Sequence, residues 1–547
     1  MLLPLRPLLL ALALLLLPAG HGRAAEDVPL SPAQPAQPPA QDTAEAAFRR
    51  GYALQQERRT LEALDAFAHA LKLDPAYGPA HYEIGWSYWI LGDWPQVVKH
   101  WEEAQRLKGG PPELPDYLRE ARARQRGEGP AVLKAALHTR AAAPAADGLP
   151  PLALELVARF QHYDPAPADP ADVFDAHVFS PKSVIFSPDG AKAYVNALEG
   201  EVTIVYDARA LRKRSVIMHR FGPDEAGLFD SAETQAFRAA FKAGHAPDHP
   251  NRFKGKPVES AFTHGGRYLW VSYYRRDYDR DGVLPAAVAI VDTATDRIVR
   301  VMHTGPIAKF LAVSPDGRTL AVIHWGDNTV GLIDVSAAQP KDFRHAGEIV
   351  VGTRLPLPTG RHVDRDRYCG FCLRGAVFTA DGRHLLVGRM GGGGIAVLDV
   401  AARKHIGTVQ GMRPTPRHLV LSPDGARLYV GSNVGGYVSV YRTADLVAAA
   451  QAHRATLAPL IEARTGSGTR TLALAPDGLT LYAAVNRESQ IVALEAATLA
   501  QRLEIAVDSF PVGLAVSPRG DQLWSTSQGV HLAGGNSVSV YTIEGGK

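Results

Sequence analysis

Apolar residues follow three successive patterns along the chain. Leu8–Leu17 is an unbroken Leu/Ala run. From Ala44 to about Leu107 the pattern is that of helical repeats. Beyond residue 151 short apolar segments rich in Val, Ile and Tyr alternate with turn residues, which predicts many short strands. Between these regimes lie two stretches with little to bury, 26–42 (Pro, Ala, Gln) and 125–150 (Gly, Ala, Pro), which read as linkers.

The first run follows Arg6 and ends in Pro-Ala-Gly-His-Gly, so residues 1–25 read as a secretory signal peptide with cleavage within Ala19–Ala25. The run is about half the ~20 apolar residues that span a bilayer, and no later stretch is long enough. No Cys stands near the exit to carry a lipid. A periplasmic or secreted protein without a membrane span is expected.

In the helical stretch two copies match at an offset of 34 residues. Gly51, Leu54, Ala63, Phe67, Ala70 and Pro75 in the first are followed in register by Gly85, Tyr88, Val97, Trp101 and Ala104 in the second. Small residues let paired helices approach, and aromatics fill the space between them. Pro115 suits the first turn of a further helix over 115–124. These residues resemble the tetratricopeptide repeat, with departures at Val97 and Trp101. The resemblance implies a helical module over 43–124 that contacts a protein partner; His81, Tyr82, Trp86, Trp89 and Trp94 could equally be its core.

The strand-rich part repeats a unit of apolar strand, Ser-Pro-Asp-Gly turn, Tyr/Val-rich strand, polar loop and a strand ending near Val-Asp. LAVSPDGRTLAVIHWGDNTVGLIDV (311–335) is its clearest copy, and seven copies fit between 177 and 547. Asp-Gly supplies the positive φ of a tight hairpin. Units of this size bury their faces only against one another. The motifs resemble YVTN-type propeller repeats of bacterial surface and periplasmic proteins, which implies a seven-bladed β-propeller over 151–547. The fold class expected is thus α+β, a small helical module followed by an all-β propeller. The seventh copy ends after its third strand, so an edge would stay open; the apolar segment Leu152–Phe160 is the expected donor beside Ser537–Ile543.

Composition adds little to this: 46% hydrophobic and 21% charged residues are ordinary for globular protein. Net charge matters more. It is +3, or about +1 without Arg6 and Arg23, too small for general nucleic-acid binding. Basicity of consequence must be local.

It is local. Counting back seven residues from each turn Asp, or its equivalent, selects Lys182, Val258, Lys309, Arg374, Arg417, Arg470 and Val512, at the channel mouth where each innermost strand starts. Five of these seven are cations. Same-face loops add Arg275, Arg276, Arg389, Arg487, His303, His324 and His418. Converging cations focus field lines in a cleft, and Arg presents a fork of donors to carboxylate, sulfate or phosphate. The ligand-binding set is therefore Lys182, Lys309, Arg374, Arg417, Arg470, Arg389, His324 and His418, unless the cations point to water or pair with Glu259, Glu488 or Asp327.

Cys369-Gly-Phe-Cys372 precedes the strand near Arg374. Leu373 follows the second Cys where c-type haem attachment needs His, and the segment enters a strand rather than a helix N-terminus. A structural disulfide is expected in an oxidising compartment, with a redox pair or a metal site (His362 being the nearest His) as alternatives. Asp277, Asp279, Asp281 and Gly282 have the alternation of a calcium loop, although Val288 stands where the closing Glu would be. No cofactor is required by these motifs, and calcium is the one they suggest. There is no Gly-x-Ser-x-Gly elbow, His-Glu-x-x-His or phosphate loop. The expected function is an exported binding or assembly protein, its mouth taking an anionic small molecule or peptide. The alternative is an extracytoplasmic enzyme of lactonase-like or quinoprotein-like kind, with 219–255 and 340–368 as lids in either case.

Overall fold

The computed structural model describes residues 43–56, 60–91, 93–111, 114–125, 141–144, 149–240, 249–356, 363–529 and 535–544. The segment read as a signal peptide, the first linker and most of the second lie outside the described residues. The chain divides into two compact units, Met1–Arg122 and Ala123–Lys547.

In the first unit Gly51 faces the Phe67 ring and Gly85 faces the Trp101 ring, so no Cβ could stand at either glycine without displacing an aromatic. Both pairs are separated by the same interval, which is the packing reason for the repeat. They lie on two helical hairpins, α1 (Ala44–Gln56) with α2 (Thr60–Leu73) and α3 (Gly78–Leu91) with α4 (Trp94–Arg106). A fifth helix, α5 (Leu114–Gln125), has Pro115 in its first turn. Asp93 caps α4 by accepting from the Gln96 amide at 3.2 Å. Trp89 and Trp101 are buried among Val97, Leu114 and Leu118, and Tyr82, Trp86 and Trp94 pack against them. Those aromatics are core.

In the second unit seven sheets share one antiparallel four-stranded plan; five have four strands only, the second blade adds a fifth and the last has six. The Ser-Pro-Asp-Gly turns explain the regularity. In the first, the Asp189 carboxylate accepts from the Ser187 hydroxyl at 2.6 Å and from the Ala191 amide at 2.9 Å, and Gly190 takes φ +66°. The turn at Ser314–Gly317 repeats this, with Gly317 at φ +70°.

The innermost strands are Pro181–Phe186, Phe253–Thr263, Ala308–Val313, Leu373–Phe378, Pro416–Leu421, Thr469–Leu474 and Pro511–Val516. Each neighbours the next, and the last returns to the first. Seven apolar clusters fill the seven gaps between successive blades. The ring closes with Leu152–Gln161 as the fourth strand of the last blade, itself flanked by the short strands Ala141–Ala143 and Asp172–Phe174. It pairs antiparallel with Ser537–Glu544, Ala153 opposite Glu544 and Gln161 opposite Ser537. No open edge remains at that joint. A helix, α6 (Ser231–Ala240), interrupts the connection between blades one and two. Another, α7 (Thr443–Gln451), lies within blade five. No helix among the described residues is long and apolar enough to cross a membrane.

Candidate functional site

Pairing between innermost and second strands slips at the same place in all seven blades. The slips lie between Pro181 and Ser183, Pro257 and Ser260, Ala308 and Phe310, Leu373 and Ala376, Pro416 and His418, Thr469 and Thr471, and Pro511 and Gly513. Such bulges leave a residue out of the ladder and re-aim its side chain. The residues skipped include Lys182, Val258, Lys309, Arg374, Arg417, Arg470 and Val512, the set that counting back from the turns selects. The repeated motif thus carries a repeated bulge, and five bulges carry cations.

These cations meet. Lys182 lines a cavity of about 150 Å³ at the centre, with Glu259, Phe310, His418, Thr471 and Val512 among others, and Lys309, Arg374, Arg417 and Arg470 stand behind that lining, close enough to repel Lys182. Burial pushes Lys182 well below the ordinary lysine range, and repulsion from Arg470, Lys309, Arg374 and Arg417 adds to this. Arg470 is held down to about 9 by burial and by Arg374. Arg417 is lowered by burial, then by Arg470 and Arg374.

Two carboxylates answer part of this charge. Arg374 donates to Glu259 Oε1 at 2.7 Å and also to the Lys309 carbonyl. Lys309 Nζ donates to Asp366 Oδ1 at 2.9 Å and stands over the Tyr274 and Trp325 rings at 4.2 and 4.7 Å from their centres. Burial still pulls Lys309 down to about 7 against the opposing pull of Asp366, with Arg374 adding to the fall. Among the described residues Lys182 donates only to the Gln528 amide oxygen, at 3.3 Å. Arg417 meets the Met390 sulfur at 3.3 Å, and Arg470 lies 5.7 Å from the Phe510 ring centre. Among the described residues neither of these guanidiniums has a carboxylate partner.

His418 shares the cavity. Its Nδ1 accepts from the Leu472 amide at 3.4 Å, which leaves the proton on Nε2, and burial holds it down to about 3. It is a neutral donor there.

Several expectations need correction. His324 is buried away from the mouth cavity: its Nε2 accepts from the Gly305 amide at 3.0 Å and meets the Thr304 hydroxyl at 2.7 Å, while Nδ1 meets Thr329 Oγ1 at 2.8 Å. Every polar atom of that ring is spent inside the blade. Arg389 lies over the Phe371 ring, 3.7 Å from its centre, outside the cavity wall. Arg276 is fully buried and donates to the Pro285 and Ala286 carbonyls at 2.9 and 3.3 Å.

Nor do Asp277, Asp279 and Asp281 assemble into a calcium loop. Asp277 accepts from the Lys254 amide at 2.9 Å, and Asp279 from the Val283 and Leu284 amides at 3.2 and 3.1 Å. Asp277 thus ties the loop to the neighbouring strand and Asp279 closes the loop on itself, and burial raises Asp279 to about 6. Among the described residues no group of three His, Cys, Asp or Glu is placed to hold a metal.

Cys369 and Cys372 are joined as a disulfide beside Arg389 and the Gly391 backbone. Titration of unreduced, denatured protein with a thiol reagent should find no free thiol; two would refute the bridge in solution. Asp366, Gln528 and Tyr274 belong to the mouth but escape sequence reasoning. Asp366 falls in an insertion without period, and Gln528 follows a strand of the least regular repeat.

The fold and the site thus define a seven-bladed β-propeller with a cationic channel mouth. A family model described as lactonase, 7-bladed beta-propeller, matches residues 375–545, the last four blades. No curated protein matches the chain. Among solved structures, Kuenenia stuttgartiensis hydrazine synthase aligns at 16% identity and TM-score 0.45, over 66% of this chain and 95% of that one. The β-propeller domain of Cps50 (Swd1) from Myceliophteria thermophila aligns at 13% identity and TM-score 0.45, over 66% and 96%.

Proposed function

We propose that this is an exported binding protein whose propeller mouth holds a small anion carrying more than one negative charge. Its helical hairpins, of tetratricopeptide kind, would engage a protein partner. The observation that carries the reading is the pair Arg417 and Arg470: burial and the neighbouring Arg374 push both guanidiniums down, Arg470 adds to the fall of Arg417, and among the described residues neither has a carboxylate hydrogen-bonded to it. Uncompensated buried charge costs several kcal/mol. A ligand that supplies the missing negative charge would relieve that cost, which is the sign expected of a binding site rather than of a salt-bridged ornament.

The second reading is a lactonase-like enzyme, favoured by the match over 375–545. Such an enzyme would need a base free to act on water or on a substrate hydroxyl. Of the three titratable side chains lining the cavity, Glu259 is held by Arg374, His418 has its acceptor nitrogen committed to Leu472, and Lys182 is tied to Gln528. Binding is therefore the stronger reading.

Thermal-shift and calorimetric titration with sulfate, phosphate and small di- and tricarboxylates tests it. At least one of these should stabilise the protein by several degrees, and Arg417→Ala/Arg470→Ala should abolish the shift. A shift retained in that variant would remove the mouth from the argument. Lactone hydrolysis lost in Glu259→Gln or His418→Gln would transfer the weight to the enzyme.

A further inference from the structure

Single exposed apolar residues such as Leu460 and Leu479 need no explanation. Tyr163, Val173, Phe174 and Phe179 are different, because four such side chains, 39–44% exposed, fall within one short stretch. Backbone pairing puts that stretch on the mouth face. Gln161 stands opposite Ser537, where the third strand of blade seven starts, and Phe174 runs beside Gln161. Phe179 lies two residues before Pro181, the start of the first innermost strand.

The rings form a track. His162 packs against both Phe174 and Phe179, at 6.0 and 5.3 Å between ring centres. Asn536 fixes the two sides to each other: its carbonyl accepts from the His162 amide and its side chain from the Ser180 amide, both at 3.0 Å. From Phe179 the track leads to the mouth. Gln528 donates to the Ser180 hydroxyl at 2.7 Å and accepts from Lys182 Nζ at 3.3 Å, and Lys182 is half-buried rather than sealed.

Size decides what suits this arrangement. The cavity that Lys182 lines, about 150 Å³, has room for on the order of five waters at ~30 Å³ each, enough for one small anionic group. The track is long by comparison. Asp172–Phe174 flanks the fourth strand of blade seven, so four strand spacings of ~4.8 Å, ~19 Å in all, separate Phe174 from the innermost strand. An extended chain at ~3.3 Å per residue crosses that distance in about six residues. The matching ligand is narrow, anionic at one end and apolar along its length. A planar bilayer would meet the aromatics but not the recessed Arg374 and Arg470, which are 6% and 8% exposed.

We propose that mouth and track together bind the extended C-terminal tail of another protein. Its last residue is Asp or Glu, which brings two carboxylates to the cations, and an aromatic or large aliphatic residue upstream packs on Phe179 and Phe174. This inference rests on the anion-binding reading of the mouth and gives it a ligand class.

The test is to pan a random heptapeptide library, displayed with free C-termini, on the full chain. Enrichment of an acidic last residue with an aromatic or large aliphatic residue before it is expected. The enriched peptide, made as the free acid, should bind at least about tenfold more tightly than its C-terminal amide in fluorescence anisotropy, the scale of a lost charge-assisted contact. Phe174→Ser/Phe179→Ser should weaken the acid by at least about tenfold, with a thermal melt to confirm that the variant folds. If sulfate or a dicarboxylate stabilises the protein and no peptide is enriched, this inference falls and the anion mouth stands. If neither binds, both fall. Equal affinity of acid and amide would overturn the proposal. So would octanoate bound as tightly as the peptide, or cosedimentation with phosphatidylglycerol vesicles that the double variant loses, since either gives the track to a lipid.

Discussion

Replacing Arg159 by Met should destabilise the propeller by about 3–5 kcal/mol, the scale for removing one partner from a buried ion pair. Arg159 sits on the strand Leu152–Gln161 that closes the ring, and it is 1% exposed. Its Nε and Nη2 both donate to Asp172 at 2.7 Å, and Nη1 stands 3.6 Å from Asp508. Asp508 lies in the loop between blades six and seven and also accepts from the Tyr163 hydroxyl at 3.0 Å. The guanidinium therefore ties the closing strand to a segment 349 residues later in the chain. Met would fill most of the volume but would leave two buried carboxylates facing each other across the gap. Burial already raises Asp508, and Arg159 is the main force opposing that rise. Chemical denaturation monitored by tryptophan fluorescence measures the loss. The triple variant Arg159→Met/Asp172→Asn/Asp508→Asn should recover much of it, because no charge is then buried alone. A single variant as stable as the parent would show that the apolar face of this strand closes the ring unaided.

That closing strand was legible from sequence, and the reason is physical. The last repeat carries three strands of its own, and Leu152–Phe160 is an apolar segment set just before the first blade, where a fourth strand can reach Ser537–Glu544. The cation ring was legible for a similar reason. The turn Asp sets the count, and the repeated bulge holds Lys182, Lys309, Arg374, Arg417 and Arg470 at one height. Direction within a loop was not legible. His324 lies on the mouth side, yet Gly305 and Gly331 leave room for its ring inside the blade, and it turns there. The Asp277–Asp281 alternation says where carboxylates occur, not that the Lys254, Val283 and Leu284 amides will claim two of them first. Asp366 belongs to an insertion that no repeat predicts, and it is the residue that gives Lys309 its charge partner.

Anion affinity should fall as pH rises above about 7, by up to about tenfold per pH unit for each buried lysine that the anion recharges. The argument runs through Lys309, which burial holds down to about 7 from its ordinary 10.5. A lysine whose folded pKa lies below its unfolded value binds its proton less tightly in the native state. Its charge is therefore a destabilisation that is fully present below about pH 7 and relieved as pH climbs from there towards 10.5. An anion at the mouth reverses this balance by favouring the charged form, so binding takes up a proton wherever free Lys309 is neutral. Each pH unit above the free pKa then costs up to a factor of ten in affinity, or about 1.4 kcal/mol. Lys182, lowered in the same way, adds to the slope. Sulfate is the probe of choice because its own charge is constant over this range. Calorimetry from pH 6 to 9, in buffers of differing ionisation enthalpy, reads both the affinity and the proton uptake. Lys309→Met/Asp366→Asn removes the pair at unchanged net charge and should reduce the slope to the part owed to Lys182. An affinity flat from pH 6 to 9 with no proton taken up would mean that the lysines do not face the anion, and that Arg374, Arg417 and Arg470 hold it alone.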